Sequence, residues 1–127
     1  MQKPSNVLKV PATRDNFFLL WLMFLKPYHQ MTDRQISLAA QFLKERYELS
    51  KIISDENLRD ENVMSEATKK KIREAINVSP AFFHGLMGDL RKHKFIVDGK
   101  INPKYIPNLD KKPDIFTLML YFDFSKK

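Results

Sequence analysis

The residue types in this chain best suited to recognition chemistry are its cations. Lys69, Lys70, Lys71 and Arg73 are nearly contiguous, and His84, Arg91, Lys92, Lys94 and Lys100 follow. Grouped Lys and Arg side chains can hold phosphate or an acidic protein surface through salt-sensitive contacts that carry no sequence information. The same group can equally serve as a plain solvated face. Bond-making chemistry finds no such support. The chain has no cysteine, which removes a thiolate nucleophile, a disulfide framework and Cys-ligated zinc or iron–sulfur sites. His29, His84 and His93 lack metal-ligand spacing, and Gly85, Gly88 and Gly99 form neither a P-loop nor a Rossmann fingerprint. Asp55, Glu56, Asp60 and Glu61 lack the glycine and closing glutamate of a calcium loop. No nucleophile is paired with a base. The expectation is a non-enzymatic chain with no metal, cofactor or small-molecule substrate.

A chain of 127 residues with 43% hydrophobic content suffices for one folded domain over 1–127 with one modest core. Lys and Arg number 22 against 15 Asp and Glu, a net charge of +7. The excess is uneven: residues 66–104 hold nine basic against four acidic groups, whereas residues 44–65 hold four against six. The longest apolar run, Phe17 to Leu25, is nine residues, against the ~20 that a membrane-spanning helix needs. Residues 1–12 lack the apolar region and cleavage site of a secretory signal, so no membrane role is expected.

The elements that must position the cations follow from caps and periodicity. After an N-terminal arm (1–13), Asp15 or Asn16 caps an apolar helix that Lys26-Pro27 should stop. Its Phe17, Phe18, Leu20, Trp21, Met23, Phe24 and Leu25 leave no polar face, so it is either central in the core or partly covered by another subunit. Thr32-Asp33-Arg34-Gln35 is a capping box opening a helix with Ile36, Ala40, Leu43 and Tyr47 on one face. The acidic stretch 50–64 reads as a loop or a short helix near Asp55–Glu61. Ser65 caps a helix to Ile76, ended by Asn77, and Ser79-Pro80 opens another that carries Phe82 or Phe83, Leu86 or Met87, and Leu90 inward. Asp98-Gly99 between apolar residues predicts a hairpin. Ile115 to Phe124, within a C-terminal strand and tail over 108–127, reads as a strand that Val7-Leu8-Lys9-Val10 could join. The fold class expected is mainly α with a small β component.

Helix, turn, helix and a basic-flanked hairpin over 65–102 resemble a winged-helix domain, a likeness that implies a second helix in the DNA major groove and a wing on the backbone. That second helix presents Ala81, His84, Gly85, Gly88, Arg91 and Lys92 outward, and only His84 lies where base readers usually sit. Each exposed glycine weakens the helix by about 1 kcal/mol relative to Ala. Such positions suit close approach of a protein or of DNA without sequence reading, or relief of crowding inside the domain.

Further strings, Asn16-Phe17-Phe18-Leu19-Leu20-Trp21, Met31-Thr32-Asp33-Arg34-Gln35-Ile36, Ile101-Asn102-Pro103-Lys104-Tyr105-Ile106-Pro107 and Leu120-Tyr121-Phe122-Asp123-Phe124, look like small helix-turn-helix-like proteins of tailed bacteriophages, the crAss-like phages of gut bacteria. This resemblance implies phage origin, with either a structural place in the virion or an intracellular DNA-binding role. The apolar helix and apolar final strand, as surfaces that neighbours could bury, favour a virion subunit at the portal, neck or head–tail connector, in contact with other phage structural proteins or copies of itself. Phe17, Trp21, Phe24, Gly85, Gly88, Phe122 and Phe124 would then meet neighbouring subunits. Lys69, Lys70, Lys71, Arg73, His84, Arg91, Lys92, Lys94 and Lys100 would face an acidic neighbour or packaged double-stranded DNA. The alternatives are a dimeric winged-helix transcriptional regulator in the host cytoplasm, with Arg91, Lys92 and Lys100 on operator DNA, and a small adaptor that binds a host protein.

Overall fold

A computed structural model describes residues 9–109 and 124–125. It is mainly helical, with one two-stranded antiparallel sheet. Helix α3 (Asp33–Ser50) organises it. Its N-terminus is fixed by the expected reciprocal cap: the Gln35 backbone N–H donates to Thr32 Oγ1 at 3.3 Å and the Thr32 N–H donates to Gln35 Oε1 at 2.9 Å. Ile36, Ala40 and Leu43 are buried as their spacing predicts, and so are Leu38, Ala39 and Phe42. The buried sector is wider than one stripe because α1 (Phe17–Phe24), α4 (Glu56–Val63), α5 (Glu66–Ile76) and α6 (Pro80–Lys92) all pack on this one helix.

Two expectations about α1 are corrected. Pro27 does not stop it: the helix ends at Leu25, and Pro27 lies in the first turn of a separate short helix, α2 (Lys26–His29), where a missing N–H and a fixed φ do no harm. Asn16 stands at the N-cap position, but its Oδ1 accepts from the Thr13 N–H at 2.7 Å instead of capping the helix. Nor is α1 surrounded on all sides. Phe18 and Leu22 are buried, Phe17 and Trp21 are half-buried against the core, and Leu19, Met23 and Phe24 face outward.

The acidic stretch forms α4, capped by Asp55, whose side chain accepts from the Asn57 and Leu58 N–H groups. Arg46 of α3, buried, holds it in place with Nε 3.0 Å from Asp60 Oδ1 and Nη2 3.6 Å from Glu56 Oε1. Removing Arg46 would leave the half-buried Asp60 carboxylate without its partner and loosen α4 from α3.

Ser65 and Ser79 cap α5 and α6, each accepting from a backbone N–H in the first turn, and Asn77 between them is left-handed at φ 56°. The hairpin pairs Ile96 with Ile101 and Val97 with Lys100. Asp98 at φ 54° and Gly99 at φ 73° make the turn that Asp-Gly predicts. A 3-10 turn (Pro103–Tyr105) then returns the chain to α1, where the Trp21 Nε1–H donates to the Tyr105 carbonyl at 2.9 Å.

Lys9 and Val10 are exposed and belong to no strand. Val7, Leu8 and the apolar stretch 115–123, Phe122 included, lie outside the described residues, and Phe124 is exposed. Among the described residues no helix is long and apolar enough to cross a membrane.

Candidate functional site: the α5–α6 face

Helices α5 and α6 present an open cleft of about 560 Å³. Pro80, Phe83 and Met87 of α6 supply its apolar walls, and Lys69, Lys70 and Arg73 of α5 meet His84 and Arg91 of α6 around it. Among the described residues Glu66 is the one carboxylate in the lining, 3.9 Å from Lys69. Among the described residues, four permanent cations against one anion make the lining electropositive, so an anion entering it relieves their mutual repulsion.

The helical period explains the convergence. On α5, Lys69, Lys70 and Arg73 lie within about a turn of one another, while Ile72 is buried on the α3 side. On α6, Pro80, His84, Met87 and Arg91 recur at three- and four-residue spacing along the side nearest α5.

Not every expected cation joins this cleft. Lys71 turns away and pairs with Glu45 of α3 at 3.2 Å. Lys92 is exposed on the outer face of α6. Lys94 follows that helix at φ 61°, its carbonyl accepting from Asn102 Nδ2 at 2.9 Å, and Lys100 is exposed on the hairpin opposite Val97. None of these three lines the cleft.

A Cβ built on Gly85 or on Gly88 meets no atom within 4 Å. Among the described residues nothing crowds either glycine. Gly85 is exposed and Gly88 half-buried along α6, beside the cleft.

The apolar residues expected at subunit contacts divide. Phe17 and Trp21 face inward: Phe17 makes an edge contact with Phe18 and stacks on Trp21, and Trp21 is tied to Tyr105. Phe24 is 49% exposed and, with Leu19 and Met23, forms an outward apolar strip.

The residue types missed a contact that no local pattern marks. The Arg34 guanidinium of α3 lies 5.1 Å from the ring centroid of Phe82, which is 45% exposed on α6. Among the described residues no group of three or more His, Cys, Asp or Glu side chains is arranged to hold a metal ion. The chain matches no protein-family model, no curated protein and no solved structure.

Proposed function

We propose that this chain is a non-enzymatic, winged-helix-like module that holds the phosphate backbone of double-stranded DNA against its α5–α6 face without reading the base sequence. The observation that carries this reading is the convergence of Lys69, Lys70, Arg73 and Arg91 on one open cleft beside the unobstructed Gly85–Gly88 face. Those cations suit phosphate, while the exposed part of α6 near its N-terminus offers no Arg, Lys, Asn or Gln to read a base. The order of elements supports the winged-helix reading: a hairpin follows α6 in the chain, with Lys100 exposed on it.

The setting we favour for this activity is a subunit of a bacteriophage particle near the head–tail connector. That placement rests on the sequence resemblance, and the outward Leu19, Met23 and Phe24 strip favours it by offering apolar surface for a neighbouring subunit.

Binding to a randomised duplex, followed by fluorescence anisotropy from low to physiological salt, tests the reading. With about four phosphates neutralised, log K should fall against log salt with a slope near −4. Lys70→Gln should reduce that slope by about one without changing sequence preference. Recovery of a palindromic site that survives physiological salt would overturn sequence-blind binding in favour of the dimeric regulator. No binding at low salt would remove the DNA role altogether.

A further inference from the structure

The cleft accounts for only one side of α6, and the other side is built as well. At 100° per residue, Phe82 lies nearly half a turn from His84 and Arg91, while Ala81, Gly85, Gly88 and Lys92 fall between the two sides. The Phe82 ring holds the Arg34 guanidinium at 5.1 Å, and both residues are exposed. Among the described residues Arg34 has no ion-pair partner, and the neighbouring Asp33 is engaged by Lys26 at 3.7 Å. Asp89, two turns beyond Phe82 on the same side, confines the positive charge there to the N-terminal end of α6.

From this bracketing we infer that Arg34, positioned by Phe82, contacts a second row of phosphates, so that the partner must carry two anionic rows on opposite sides of α6. The inference rests on the DNA reading above and sharpens it. A helix with its side chains is about 10–12 Å across, and the major groove of duplex DNA is about 12 Å wide between its backbones. A single strand offers one row and would meet the cleft side alone. The glycines between the flanks keep side chains from holding the helix away from the partner. Phe82 fixes a guanidinium that would otherwise sample many rotamers, so it acts as a positioning residue and Arg34 as the contact.

The test compares the full chain with Arg34→Gln, Phe82→Leu and the off-face control Lys51→Gln, on a random duplex and on a single strand of equal length. Far-UV circular dichroism checks that each variant folds. On duplex, Arg34→Gln should lower the salt slope by about one relative to the control. Phe82→Leu, with charge unchanged, should weaken duplex binding several-fold. Neither should alter single-strand binding more than the control does. If Arg34→Gln matches Lys51→Gln on duplex, or if the single strand loses as much as the duplex, the two-row geometry is wrong while backbone binding stands. A wild-type chain that binds no duplex overturns both.

Discussion

His29 shows how much one side chain can be asked to hold. It is 3% exposed, and both ring nitrogens are engaged: Nε2–H donates to the Leu22 carbonyl at 2.6 Å, while Nδ1 accepts from the Met31 N–H at 2.9 Å. These partners select the neutral ring protonated at Nε2, since a second proton at Nδ1 would face the Met31 N–H, donor against donor. The His29 carbonyl in turn accepts from His93 Nδ1–H at 2.8 Å, so one residue ties α1, the α2–α3 turn and the end of α6. Burial, above all, holds its pKa below the ordinary 6.5; the Leu22 carbonyl opposes this, and His93 and Lys26 add to it. The unfolded chain therefore binds a proton that the folded chain refuses. Stability is fully present above pH 6.5 and declines as pH drops from there toward the folded-state pKa. The urea midpoint of the wild type should fall between pH 7.5 and 5.5, and His29→Gln should flatten that part of the profile. An unchanged profile in the variant would assign the dependence to other groups.

Among the elements, α6 illustrates the difference between what a helix prefers and what its surface needs. Among the described residues, a Cβ added at Gly85 or Gly88 meets nothing within 4 Å. Gly85→Ala and Gly88→Ala should each raise stability, by about 1 kcal/mol per site from helix propensity, read as higher denaturation midpoints. If a partner's backbone lies against this face, the same double variant should bind duplex more weakly despite its greater stability. Binding that rises or stays level would place the contact elsewhere. The caps and periods of α3, α5 and α6 were legible because they depend on residues three and four apart. The division of α1 and α2 was not, because Pro27 is compatible both with ending one helix and with starting another, and the packing of α1 on α3 decides between them.

At the scale of the whole molecule, the packing of α1, α4, α5 and α6 on α3 predicts one cooperative unit. Phe42, fully buried on α3, is its natural probe. Phe42→Ala should cost about 3–5 kcal/mol, with the loss of helix by circular dichroism coinciding with the change in fluorescence of Trp21, the only tryptophan. Separate transitions would show that α1 unfolds on its own. The sequence by itself determined the mainly helical class with a hairpin, the caps at Thr32, Ser65 and Ser79, the Asp98-Gly99 turn and the basic segment, because each rests on spacing within a few residues. Only the tertiary structure decided that Lys71 leaves the basic cluster for Glu45, that Arg46 holds α4, and that Trp21 turns inward to Tyr105. It alone brought Arg34 to Phe82. Those partners are distant in sequence, or belong to different helices, and local periodicity places a residue on a face without saying which neighbour that face will meet.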